Sequence, residues 1–80
     1  MLRVVLKYTD CLQDGRNVFN VLAMNNIEIL KTKIKSFSIY PRVTIRVKDY
    51  KELNDLISRL NQKCTYEVAV EKVKQERKWL

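Results

Sequence analysis

Histidine is absent from the 80 residues, and glycine and proline occur once each, as Gly15 and Pro41. Without histidine the commonest general base is missing, so Ser-His and Cys-His nucleophile pairs and HExxH zinc sites are excluded. A single glycine cannot build a phosphate-cradling glycine loop, and one Pro with one Gly leaves little material for long irregular connections. Cysteine is scarce as well. Cys11 and Cys64 stand apart with no CxxC spacing, too few for a zinc site. A secreted domain of this size usually carries more bridges, so two reduced thiols in a cytoplasmic setting are expected. No apolar run approaches the roughly 20 residues that span a bilayer, and the N-terminus lacks a cleavable signal pattern. No catalytic residue, metal site or cofactor is expected within this chain, which is not an enzyme by itself.

What is present is charge and a small apolar core. Sixteen Lys and Arg against nine Asp and Glu give a net charge of +7, with 46% hydrophobic and 31% charged residues. That balance is one of a folded domain and not of a disordered tail. A chain this short buries only about 60% of its unfolded surface, so the architecture must be simple. The basic excess suits nucleic acid, an acidic protein or a membrane surface, and does not choose among them.

Periodicity orders the elements. Leu2, Val4, Leu6 and Tyr8 alternate on one face of an opening strand. From about Gln13 to Asn25, Val18, Val21, Leu22 and Met24 follow helical spacing, and Asn25-Asn26 is a suitable stop because Asn tolerates the left-handed turn. Strand character returns from Ile27 to about Phe37, and Ser36 to Pro41 reads as a hairpin turn. Val43, Ile45 and Val47 then alternate strictly within 42–48. Asp49 caps a helix to Gln62, with Glu52 in the capping-box position and Leu53, Leu56, Ile57 and Leu60 forming one apolar stripe. A last strand is expected over Thr65–Glu71, and a charged tail from Lys72. The order strand, helix, strand, strand, helix, strand gives an α+β, ferredoxin-like βαββαβ fold, a four-stranded antiparallel sheet with both helices on one face. Residues 1–73 form the domain and 74–80 the tail.

If Val43, Ile45 and Val47 face the helices, Arg42, Thr44, Arg46 and Lys48 face away, joined by Arg3 and Lys7. Lys31, Lys33 and Lys35 join them with Leu30, Thr32 and Ile34 inward, provided a bulge accommodates Ile27 and Ile29. Glu67 and Glu71 then lie at one side. Two readings fit this face: a basic platform for RNA phosphates, or a solvated surface that lysines keep from edge pairing. No aromatic-rich strand occupies the middle of the sheet, so base stacking is not expected. Cys11 and Cys64 fall at the same end of neighbouring strands. Trp79 in the tail is either a partner anchor or a chain end without a role.

Asp10 closing the first strand, a helix ending at Asn25-Asn26, and Ile27-Glu28-Ile29-Leu30 together resemble the ACT domain family. The second half, from Val43 through Asp49, Leu53, Leu56 and Leu60 to Val68-Ala69-Val70, is similar to the ACT domain at the C-terminal end of RelA/SpoT-type enzymes, which make and degrade (p)ppGpp. The resemblance covers about residues 2–73. It implies a regulatory domain in the stringent response, whose parent is a GTP pyrophosphokinase and (p)ppGpp hydrolase with its catalysis in other domains. It also implies a homodimer with Ile27, Ile29 and the first helix near the contact, and ribosomal RNA or tRNA meeting Arg3, Lys7, Lys31, Lys33, Lys35, Arg42, Arg46 and Lys48. Family members that bind amino acids place a Gly in the loop after the Asp. Here, counting from Asp10, Gln13 and Asp14 stand at those places and Gly15 comes late, which argues against an amino-acid ligand. The alternative is a free-standing small basic ferredoxin-like protein that binds RNA or forms homo-oligomers.

Overall fold

The computed structural model of the chain describes residues 1–34 and 40–76. Its elements are β1 (Leu2–Lys7), α1 (Asp14–Met24), β2 (Glu28–Lys33), β3 (Arg42–Val47), α2 (Tyr50–Lys63) and β4 (Ala69–Gln75). The strands pair antiparallel in the order β2-β3-β1-β4. This is the ferredoxin-like βαββαβ arrangement, with β1 and β3 central and β2 and β4 at the edges. The turn expected over Ser36 to Pro41 lies largely outside the described residues, as do Lys35, Phe37 and Trp79.

The alternating apolar positions close on one core. Leu2, Val4, Leu6 and Tyr8 from β1 and its end meet Val43, Ile45 and Val47 of β3, and all seven are buried. Against them lie Val18, Val21 and Leu22 of α1 and Leu53, Leu56 and Leu60 of α2. Each fully buried Leu contributes roughly 1.5–3 kcal/mol by leaving water. Ile57 is only partly buried, and Met24 is exposed, since it sits past the face of α1 that meets the sheet.

Local chemistry sets where the helices begin and end. Asp49 accepts a hydrogen bond from the Glu52 amide at 2.9 Å, the N-cap of α2. Glu52 returns not to the Asp49 amide but to that of Lys48, at 3.5 Å. α1 ends with Asn26 in the left-handed region at φ 55°, its amide donating to Ala23 and the Ile27 amide to Leu22. This pair of bonds is the Schellman arrangement, and Asn25-Asn26 supplies it as the sequence suggested. The helices are tied at both ends: Asn17 Nδ2 donates to the Lys63 carbonyl, and Arg59 to Asn25 Oδ1.

The last strand departs from its expected place. It runs Ala69–Gln75 and not Thr65–Glu71, four residues further along and past the boundary set at residue 73. The cause is Asp14. Its buried carboxylate accepts the Thr65 and Tyr66 amides at 2.8 Å each, and Asn61 Oδ1 accepts the Val68 amide at 2.8 Å. Amides held this way cannot join the ladder, so pairing starts at Ala69 opposite Lys7. Lys72 to Gln75 are strand, with Val73 on the core side.

Candidate anion-binding site on the open sheet face

The face of the sheet away from the helices is arranged in three ranks across the strands. Pairing sets Glu28, Arg46, Arg3 and Lys74 abreast, then Lys31, Thr44, Val5 and Lys72, then Lys33, Arg42, Lys7 and Ala69. Two irregularities in register produce this order. One lies between Ile29 and Lys31 of β2, leaving Leu30 without a partner. The other lies opposite Val5 and Leu6, leaving Glu71 of β4 without a partner. A bulge adds one residue to a strand and re-aims the side chains beyond it. Were Glu71 paired opposite Val5 in a regular ladder, Lys72 and Lys74 would point into the core and Val73 into solvent. The bulge expected in β2 is present, but Leu30 lines the open face beside Lys31 and does not turn inward.

Between the bulges lies a depression of about 380 Å³, with Val5, Thr44 and Leu30 on its floor and Arg3, Lys31, Lys72 and Lys74 at its rim. Among the described residues no carboxylate lines it. Acids instead bracket it. Arg42 Nε donates to Glu71 at 2.7–2.8 Å, and Arg42 Nη1 to the Tyr40 carbonyl at 3.2 Å. Arg46 is chelated from both sides, by Glu76 at 3.1 Å through Nε and Nη2 and by Glu28 at 3.0 Å through Nη1. These bonds raise the pKa of Arg46, with Glu76 the larger cause and Glu28 next. Hydrogen bonding to Arg46 and the nearby cations Arg46, Arg3 and the N-terminus hold the Glu76 carboxyl below its ordinary value, against the opposing effect of burial. Arg3 lies 3.8 Å from Glu76.

The eight cations proposed from the sequence are thereby divided. Arg42 and Arg46 are engaged by carboxylates of their own chain, and Lys7 Nζ sits 5.0 Å from the Tyr40 ring centroid. Lys48 lines a different hollow, at the start of α2 with Asn25, Ile27 and Asp49. Lys33 is exposed at the end of β2, and Lys35 is outside the described residues. Of the eight, Arg3 and Lys31 reach the depression, where Lys72 and Lys74 join them. The Lys-Val-Lys alternation at 72–74 is the sequence signal for these two, obscured where the segment is read as tail.

The loop before α1 is filled by the chain itself. Leu12 and Gln13 take left-handed backbone at φ 48° and 75°, and Gln13 precedes the helix without a side-chain cap. Asp14 is buried, and its carboxyl is held below the ordinary range chiefly by the Thr65 amide, with the Tyr66 amide adding to it against desolvation. A Cβ on Gly15 would overlap Oδ1 of Asp10 and sit 3.6 Å from Tyr8 Cε2, so Asp10 closes over the glycine. Burial pushes the Cys64 thiol up, and the Asp14 charge adds to this. Cys11 and Cys64 are both free thiols. Of the two residues proposed for a dimer contact, Ile27 is partly buried against the core, while Ile29 is exposed on edge strand β2. Among the described residues no three His, Cys, Asp or Glu side chains gather as a metal site, and no helix is long and apolar enough to cross a membrane. No family model matches the chain, and no curated protein matches it significantly.

Proposed function

We propose that this chain is a non-catalytic, ACT-like regulatory module that acts in the cytoplasm by binding, and that its open sheet face takes the phosphate backbone of RNA. The observation that carries the binding part is the rim of Arg3, Lys31, Lys72 and Lys74, drawn from three strands around one depression that no carboxylate lines among the described residues, with only Arg3 near an acid, Glu76 at 3.8 Å. Phosphate contacts of this kind position a nucleic acid without reading bases, and a floor of Val5, Thr44 and Leu30, which offers no aromatic ring for base stacking, agrees with that. The regulatory part rests on the resemblance of residues 2–73 to the ACT domain of RelA/SpoT-type enzymes. In such a parent the module would shift the balance between synthesis and hydrolysis of (p)ppGpp only if its partner binds the two states unequally. A homodimer fits this reading, with Ile29 on the unpaired edge of β2 as the apolar contact. Branched-chain amino acids do not fit, because Asp10 and the buried Asp14 fill the loop where they would enter. A free-standing basic RNA-binding protein would use the same face.

The test is fluorescence anisotropy with labelled single-stranded and structured RNA over a salt series. Four phosphates neutralised on a single strand give a log-log slope of about −2.8, a loss of roughly fifty-fold in affinity between 50 and 200 mM salt. Affinity independent of salt, or no binding at 50 mM salt, would overturn the reading.

A further inference from the structure

We infer that the depression between the two bulges is a discrete site for a small organic phosphate of nucleotide size, carrying at least two negative charges. The inference rests on reading this face as anion-binding, and it adds the size and charge of what the site accepts.

Three observations carry it. The middle rank places a neutral pair, Thr44 opposite Val5, between Lys31 on one side and Lys72 on the other. Three strand spacings separate the outer two, about 14 Å across, a width that two lysine side chains close by folding inward. Val5 and Leu30 make the floor partly apolar beside the Thr44 hydroxyl, so an organic body has something to lie on while its charges meet the rim. Along the strands the Arg46 cluster with Glu28 and Glu76 lies to one side of the depression and the Arg42–Glu71 pair to the other, both outside its lining. Its volume of about 380 Å³ falls in the range of small-ligand sites.

The paired arginines matter as much as the rim. An arginine already chelated by two carboxylates offers little to a ligand, whereas Lys31, Lys72 and Lys74 are exposed ammonium groups with no carboxylate of their own chain within ion-pair reach among the described residues. Both bulges flank this one spot, and bulges are the device by which sheets re-aim side chains at sites.

The experiment is an amide chemical-shift titration of the full chain with ADP, and separately with inorganic pyrophosphate, at constant ionic strength. Saturable shifts confined to the amides around Val5, Leu30–Lys31, Thr44 and Lys72–Lys74 are expected, with ADP the tighter of the two because its organic part adds the floor. Neutralising Lys31→Ala and Lys72→Ala, both solvent-exposed, should each weaken the affinity about tenfold, while Lys51→Ala on α2 should leave it unchanged. Shifts that stay linear to about 10 mM ligand, or that saturate with unchanged affinity in the two variants, overturn the inference. A 12-nucleotide RNA run in parallel separates the two readings. RNA binding without saturable ADP binding removes this inference and leaves the RNA reading intact, whereas failure of both removes the anion-binding face altogether.

Discussion

Removing Glu71 should straighten β4 without disturbing the rim of the anion site. Glu71 is the residue of β4 with no partner, and beyond it Lys72, Val73, Lys74 and Gln75 pair with Val5, Val4, Arg3 and Leu2. With Glu71 deleted, Lys72 follows Val70 directly, and the same pairs close into a regular ladder with every side chain on its present face. The alternative register, Glu71 kept and paired with Val5, would aim two ammonium groups at Val4 and Leu2, which are 0% and 3% exposed. Burying unpaired charges costs several kcal/mol each, so the intact strand keeps the bulge. What the deletion loses is the partly exposed Arg42–Glu71 ion pair, about 1 kcal/mol or less. For a domain of this size that is a fall of at most about 4–8 °C in Tm. Thermal melts give the magnitude, and hydrogen exchange at amides 72–75 gives the location. Glu71→Gln is the control, since it keeps the extra residue and removes the same ion pair, so the two variants should melt within about 3 °C of each other. A deletion that melts more than about 10 °C below Glu71→Gln, or that leaves amides 72–75 unprotected, would refute the reasoning.

Asp14 should make stability depend on acid. Folding lowers its pKa, so its contribution is complete above the ordinary value of 3.8 and is lost as pH falls through the lower folded value. Asp14→Asn should flatten the melting temperature below pH 4, and equal pH profiles for the two proteins would contradict this. Leu60→Ala removes a fully buried side chain from the α2 stripe and should cost about 3–4 kcal/mol in urea unfolding, against less than 1 kcal/mol for the exposed Tyr50→Ala. Valine or leucine at millimolar concentration should produce no saturable amide shifts from Asp10 to Arg16, and such shifts would reopen the loop as a ligand site.

Much of the fold was legible because its signals are local. The alternation of Val43, Ile45 and Val47, the stripe from Leu53 to Leu60, and the Asn25-Asn26 stop each name an element and its buried face without reference to the rest. The last strand was not legible for a physical reason. Thr65 and Tyr66 have strand-like composition, but a carboxylate some fifty positions earlier takes their amides. No window along the sequence contains both partners. The candidate site suffered in the same way. The sequence shows which residues alternate outward, and so found Arg3 and Lys31. It does not show that Glu71 is a bulge, so Lys72 and Lys74 were missed. Nor does it show that Glu28, Glu71 and Glu76 converge on Arg42 and Arg46, which therefore counted as phosphate ligands. Composition counts charges of each sign, and only the fold decides which cancel.

The most direct test of the account compares two double charge reversals for RNA affinity at 50 mM salt. Lys72→Glu with Lys74→Glu alters the rim of the depression, and Lys51→Glu with Arg59→Glu changes net charge by the same amount on the helical side. Circular dichroism confirms that both variants fold. The account predicts that the first pair lowers affinity by roughly a hundredfold or more, two charge-assisted contacts at about tenfold each, while the second changes it by less than about threefold. Equal losses from the two pairs would mean that only net charge matters and that the open face is a solvated surface.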